Sequence, residues 1–369
     1  MIEANLTLKE VAAYLKVSLS TVRRLIRNGE LQSFRIGTQG QVRVPESAVK
    51  RMCGAEVAEP VLSRELENSA KSSIAVVDAH AEVRVLSGST REELRWSILH
   101  ADVNAAAAKL PAESVNCVVT SPPYYWQRDY EVGGQIGHEP TIEGYVDALV
   151  EVFSKIKKSL TPDGTLFLNL GDTYYSAKGK PHGTDEKHKG RNMMRKHLRA
   201  VDGPGLGLPR KSLIGIPWRV ALAMQDDGWT LRSSIIWQRP ATLPEPTARD
   251  RPWRTHENIF VFSKGPKYYF DRNALQGEED IWKIIARPEN PGSHFAPYPR
   301  ELVDRCLACG CPEGGTVLDP FVGSGTTIVS ALASGRHGVG IELKPEYAEF
   351  AAKRIKKEFG ELATAKDSA

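Results

Sequence analysis

Two hydrophobic periods take turns along this chain. From residue 97 onward, short apolar runs bounded by turn residues are separated by stretches whose apolar positions fall three and four apart. The runs read as buried strands and the stretches as amphipathic helices. Ser97–Asp102 is a strand ending in an acid, and Val115–Thr120 is a second, stopped by two prolines. Thr141–Leu160 carries Tyr145, Leu149, Val152, Phe153, Ile156 and Leu160 at helical spacing. Strands follow at Thr165–Leu170, Leu231–Trp237 and Glu257–Ser263, the last with an extension over Lys267–Phe270. A helix opened by Pro217 and running to about Gln225 lies between the first two of these. Gly315–Asp319 and His337–Ile341 complete the set, separated by a helix that begins near Ser324. Strands alternating with helices predict an α/β domain, a doubly wound, mostly parallel sheet.

The first 52 residues have a different rhythm. Thr7-Leu8-Lys9-Glu10 is a capping box opening a helix with Val11, Ala12 and Leu15 on one face. After a turn at Lys16-Val17-Ser18, a second helix carries Val22, Leu25 and Ile26 and ends at Asn28-Gly29, with Arg23, Arg24 and Arg27 on its polar side. Ser33–Val44 reads as a β-wing around Gly37 and Gly40, and Pro45 begins a last short helix. This stretch resembles the winged helix-turn-helix of excisionases and MerR-type regulators. The resemblance implies that the second helix enters the DNA major groove. Residues 53–95 read as a linker, rich in Ala, Glu and Ser as far as residue 73, with alternation enough for a strand or two within 74–86. Residues 96–369 form the larger domain.

Composition adds exclusions. No apolar run approaches the length of a membrane span, and the first residues open no signal peptide. Five cysteines without framework spacing point to a reducing cytoplasm. Cys306, Cys309 and Cys311 cluster, but they coincide with a helical apolar pattern, so core packing is expected and no metal site. The net charge of +4 is unevenly spread. Residues 1–52 carry nine Lys/Arg against four Asp/Glu, and residues 176–211 carry ten against three. The second segment is expected to be a mobile loop that holds phosphates, with Lys187, Lys189, Arg191 and Arg195 as its contacts. Residues 239–256, with four prolines among Arg249, Arg251 and Arg254, are a further candidate DNA contact and target-recognition loop.

Two stretches carry chemistry. Thr120-Ser121-Pro122-Pro123-Tyr124 is stiff, and it sets a hydroxyl and free carbonyls beside an aromatic ring. A planar base with an exocyclic amine suits it. Asp319-Pro320-Phe321-Val322-Gly323-Ser324-Gly325-Thr326-Thr327 is a glycine turn between strand and helix, where a ligand can approach the backbone. Glu342 lies 19 residues beyond Gly323, where a nucleotide-binding fold places the carboxylate for ribose hydroxyls. A dinucleotide or phosphate site is the rival reading; no lysine follows the glycines and the third fingerprint glycine is missing.

Taken together, the two stretches resemble the S-adenosylmethionine-dependent DNA amino-methyltransferases, in the β-class order with the catalytic motif first. His294-Phe295-Ala296-Pro297-Tyr298-Pro299 is similar to the cofactor-side motif that precedes the glycine loop. The resemblance covers about residues 97–357. It implies S-adenosyl-L-methionine held by Asp102, His294, Phe295, Asp319, Phe321, Gly323, Ser324, Gly325, Thr326 and Glu342. It implies catalysis by Ser121, Pro122, Pro123 and Tyr124: the Ser121 hydroxyl and Pro122 carbonyl accept amine N–H bonds, and Tyr124 stacks on a flipped base. Asp172 either takes the released proton or is a structural turn acid. Ser before Pro-Pro-Tyr favours cytosine N4 over the alternative, adenine N6. The implied partner is double-stranded DNA in a prokaryotic or phage nucleoid. A cognate restriction endonuclease and a homodimer are compatible with the resemblance, and no membrane is implied.

Overall fold

The computed structural model describes residues 5–17, 22, 25–26, 29–36, 41–53, 83–128, 130, 132–177, 179, 199–240, 248–275, 277, 279–286 and 298–360. The chain forms two compact units, residues 1–78 and 79–369.

In the first unit, β1 (Asn5–Leu6) and β2 (Phe34–Ile36) flank β3 (Gln41–Pro45) antiparallel, with helices α1 (Leu8–Leu15) and α2 (Glu46–Met52). The expected capping box is present: Thr7 Oγ1 accepts from Glu10 N at 3.2 Å, and Glu10 Oε2 accepts from Thr7 N at 2.7 Å. Lys16 ends α1 in the left-handed region at φ 52°. Val11, Val22, Leu31, Val44 and Val49 make the core. The short strand β1 was not foreseen; two residues are too few to show a period. Arg23, Arg24 and Arg27 lie outside the described residues.

Among the described residues the second unit is built on nine strands. They are β4 (Arg84–Ser89), β5 (Arg95–His100), β6 (Val115–Thr120), β7 (Leu160–Leu170), β8 (Thr230–Gln238), β9 (His256–Ser263), β10 (Ile281–Lys283), β11 (Thr316–Asp319) and β12 (His337–Glu342). Their order across the sheet is β10-β8-β9-β7-β6-β11-β12-β5-β4. Pairs from β7 through β6, β11 and β12 to β5 are parallel, as is β10 with β8, whereas β4 and β9 run antiparallel to their neighbours. Two expectations need correction. The linker does not reach residue 95, because Arg84–Ser89 pairs along its whole length with β5. Residues 267–270 form no strand; the extra strand at that edge is β10, too short to announce itself by alternation.

Alternation places side chains on two covered faces. Val118, Leu166, Leu168, Leu170, Phe260, Phe262 and Leu318 point to one face. There they meet α3 (Val103–Ala107), α4 (Ile142–Ser159) and α5 (Ile216–Asp226). Cys117, Val119, Phe167, Ile259, Val261 and Val317 point to the other face and meet α6 (Arg300–Gly310). Because both faces are buried, the strands read as continuous apolar runs. Helices α7 (Thr326–Ala333) and α8 (Pro345–Phe359) pack beside β5 and β12. Cys117, Cys306, Cys309 and Cys311 are buried in the core, and no described group of residues could hold a metal ion.

Strands β6 and β11 lie side by side at the centre. From β6 the chain steps to β7 on one side, and from β11 it steps to β12 on the other. That reversal opens a crevice beyond their carboxyl ends, the place where open α/β sheets bind ligands.

Candidate active site

A cavity of about 510 Å³ occupies this crevice. The size suits one nucleoside-sized ligand beside a second planar group. Ser121, Pro122, Pro123 and Tyr124 from the end of β6 line it, as do Asp319, Phe321, Gly323, Ser324 and Thr326 from the end of β11. Asp102, from the end of β5, and Glu342, from the end of β12, complete the floor. Thr120 Oγ1 donates to Asp319 Oδ1 at 2.6 Å, tying the two central strand ends across 199 residues of sequence.

On the glycine-loop side every acid has a stated task. Asp319 is buried and accepts from Thr120, Thr327, the Phe321 backbone and the Tyr298 hydroxyl, the last at 2.8 Å. Burial raises its pKa and these donors work against the rise. Glu342 Oε2 accepts from Gly323 N at 2.9 Å, and Oε1 accepts from Lys344 N at 2.9 Å. Burial pushes the Glu342 carboxyl up to about 7, with the Lys344 and Gly323 amides opposing and Asp319 adding to the rise. Gly323 (φ 50°) and Gly325 (φ 82°) occupy the left-handed region. A Cβ on Gly323 would find nothing nearer than the Phe321 carbonyl at 3.9 Å, so any side chain there would project into open cavity. Asp102 caps α3, accepting from Asn104 N and Ala105 N. His294 and Phe295 lie outside the described residues; Tyr298, three residues beyond Phe295, reaches both Asp319 and Thr327.

The opposite wall holds more than the Pro-Pro motif announced. The Pro123 carbonyl, expected from sequence to be free, is taken: the Tyr145 hydroxyl donates to it at 2.9 Å. This bond pins the stiff turn to α4. Tyr124 packs against Gly171, where an added Cβ would lie 2.5 Å from the Tyr124 ring. Its hydroxyl lies 3.1 Å from Ser121 Oγ, 3.0 Å from Asn169 Oδ1 and 2.6 Å from Glu257 Oε2. Glu257 is also ion-paired with Arg239 at 3.0 Å. Asn169, Arg239 and Glu257 all line the cavity and were missed from sequence. Asn169 had a signal, as the lone amide inside the apolar run Leu166–Leu170. Glu257 had a weaker one, an acid just ahead of the apolar stretch of β9.

Asp172 resolves to the structural alternative. Its carboxylate accepts from the backbone of Thr173, Gly215 and Ile216 at 2.8–3.1 Å, closing the N-terminus of α5. An acid at that point satisfies orphan N–H groups and complements the helix dipole. It does not line the cavity.

The surrounding basic segments are only partly loops. Lys187, Lys189, Arg191 and Arg195 lie outside the described residues. Residues 199–211, expected to be mobile, are instead anchored: Arg199 pairs with buried Asp202, which also accepts from Ser176 Oγ, and Arg199 donates to the Trp126 carbonyl at 3.1 Å. In the 239–256 segment, Arg249 is exposed and Arg251 sits 3.9 Å over the Tyr174 ring. Arg254 turns inward and donates to the Asp172 carbonyl.

A family model described as DNA methylase matches residues 115–354, and one described as a helix-turn-helix domain matches residues 6–52. Type II methyltransferase M.SmaI of Serratia marcescens is 45% identical over 269 residues, covering 70% of this chain and 90% of that protein. Type II methyltransferase M.Cfr9I of Citrobacter freundii is 42% identical, covering 71% and 88%. Among solved structures, the cytosine-N4-specific PvuII DNA methyltransferase superposes with a TM-score of 0.54 at 23% identity, covering 73% of this chain and 90% of that one. TTHA0409 of Thermus thermophilus, solved with S-adenosyl-L-methionine, gives 0.50 at 24%, covering 70% and 92%. At such identities these two likenesses establish the fold.

Proposed function

The chain belongs to the DNA methylase family, and on that footing we propose that it methylates the N4 amine of a cytosine flipped out of double-stranded DNA. The methyl donor is S-adenosyl-L-methionine. The observation that carries the reading is one cavity with two different walls, an anion-accepting glycine loop with Glu342 on one side and Ser121-Pro122-Pro123-Tyr124 on the other.

The residues present suit the donor. Glu342 keeps lone pairs beyond those taken by the two amides, and ribose hydroxyls would use them. The cavity above Gly323 is left open by the missing side chain. When bound, the donor supplies an electrophilic methyl on a sulfonium.

The protein's part is orientation. A cytosine amine is a poor nucleophile because its lone pair is delocalised into the ring. Ser121 Oγ and the Pro122 carbonyl accept its N–H bonds, so the lone pair faces the donor side of the cavity. Alignment of this kind accounts for several kcal/mol of the barrier, on the order of the effective-molarity range. The Tyr124 ring supplies a wall for the base. Ser121, a small neutral acceptor, favours cytosine. The winged helix-turn-helix and the basic segment 176–211 add DNA affinity through phosphates, and a cognate endonuclease and a homodimer belong to the same proposal. Digesting DNA from an expressing, otherwise unmethylated host to nucleosides and weighing them tests the base. N4-methyldeoxycytidine is expected; N6-methyldeoxyadenosine as the sole product overturns the assignment.

A further inference from the structure

Ser121 Oγ can serve the amine only if its own proton points elsewhere. A hydroxyl has one donor and two lone pairs, and its rotor is free unless a partner fixes it. A proton aimed at the substrate would compete for the lone pair that must attack. We propose that Glu257, acting through Tyr124, fixes the Ser121 rotor so that its lone pairs face the substrate amine.

Hydrogen-bond direction fixes where each proton in this chain points. Glu257 Oε2 lies 2.6 Å from the Tyr124 hydroxyl, and a carboxylate accepts only. The other neighbour of that hydroxyl, Asn169 Oδ1 at 3.0 Å, is also an acceptor, because the Asn169 amide nitrogen is committed to Glu257 Oε2 and the Asn258 carbonyl. The Tyr124 proton therefore points away from Ser121. What Tyr124 turns toward Ser121, 3.1 Å away, is a lone pair, and the Ser121 proton fills it. Burial, and after it the Glu257 charge, raise the Tyr124 pKa well above the usual phenol range, so the hydroxyl keeps its proton. The Arg239 ion pair at 3.0 Å and the Asn169 amide hold Glu257 in place. Glu257 is a positioning residue here and acts through the Tyr124 hydroxyl; the Tyr124 ring remains the wall for the base, and Ser121 is the group that meets the amine. Hydrogen bonds ending on a charged acceptor are the stronger ones, which suits a group that must set the polarity of a chain.

This inference rests on amine methylation as the reaction of the site and is indifferent to which base carries the amine. The test is a mutant cycle on the full chain, read by single-turnover methyl transfer to DNA. Donor affinity by calorimetry, DNA affinity, KM and melting temperature are measured alongside. Tyr124→Phe keeps the ring and removes the link; the transfer rate is expected to fall about a hundredfold, as for a misoriented reacting group. Donor and DNA affinities stay within about twofold, so the loss appears in kcat and not KM. Glu257→Ala gives a similar fall, and Glu257→Gln recovers part of it because the amide oxygen still accepts. In a Ser121→Ala background, Tyr124→Phe adds nothing further, since the three residues serve one function. If Tyr124→Phe multiplies the Ser121→Ala loss by its full single-mutant factor, Tyr124 acts independently and the relay is overturned. A wild-type rate in Tyr124→Phe overturns it equally, and this arm decides alone should Glu257→Ala fail to fold. The wild-type product separates the two readings: methylated adenine would overturn the cytosine assignment and leave the relay standing, whereas a multiplicative cycle with a cytosine product would do the reverse.

Discussion

Lowering the pH should loosen the methyl donor through Glu342. Its carboxyl is pushed from an ordinary 4.5 up to about 7, chiefly by burial. At about 1.4 kcal/mol per pH unit, the charged form in the folded protein is disfavoured by at most about 3 kcal/mol, less where cavity water reaches the oxygens. Ribose hydroxyls and a sulfonium both favour the carboxylate, so donor binding releases a proton. If the ionised form alone binds well, affinity at pH 6 is about tenfold weaker than at pH 8, with most of the change on the acid side of pH 7. Calorimetric titration of the donor across that range measures it. Glu342→Gln should flatten this component, leaving only the titration of the donor's own amino group, which affects both proteins alike. The ligand-free protein must behave oppositely. An acid whose pKa is raised on folding contributes stability below pH 4.5 that is lost as pH rises through about 7. Ligand-free Glu342→Gln should therefore melt at or above the wild-type temperature at pH 8. Equal affinity slopes in the two proteins would refute the placement of Glu342 on the donor.

Three other outcomes are expected, two from the geometry and one from the charge of the sequence. Gly171→Ala places a methyl where the Tyr124 ring now lies, 2.5 Å from it; overpacking of about 1–3 kcal/mol and a ring shift should cut single-turnover rate by one to two orders of magnitude, while donor affinity stays unchanged. Gly323→Asp sets a β-carbon at φ 50° and an anion into the open cavity beside Glu342, so donor binding by calorimetry should vanish; retained affinity would move the donor elsewhere. Neutralising Lys187, Lys189, Arg191 and Arg195 should flatten the plot of log DNA affinity against log salt by roughly one unit per lost phosphate contact, and an unchanged slope would make the segment solvated surface.

The local elements were legible because local rules govern them. Capping of α1 by Thr7 and Glu10, the amphipathic face of α4, and the glycines after β11 each depend on residues within a few positions of one another. The positions of the cavity acids Asp102, Asp319 and Glu342 were legible too, since a strand end and a glycine turn fix their distance along the chain. Strand β10 escaped, being a three-residue stretch with too little alternation to see, and of β4 only the first three residues fall within the 74–86 stretch read as a strand or two.

Sequence by itself determined the alternation of strands and helices, the two motif stretches, and Cys306, Cys309 and Cys311 as core residues. Tertiary structure decided what each polar group in the cavity does, because that depends on which partners meet it in space. Asp172 became a helix cap when Gly215 and Ile216 arrived at its oxygens, 43 and 44 residues further along the chain. Glu257 became part of the cavity wall when β9 paired beside β7 and brought it to Tyr124, 133 residues away. A side chain carries its hydrogen-bonding capacity in its own chemistry, but the direction in which that capacity is spent is set by neighbours that only the folded sheet brings together.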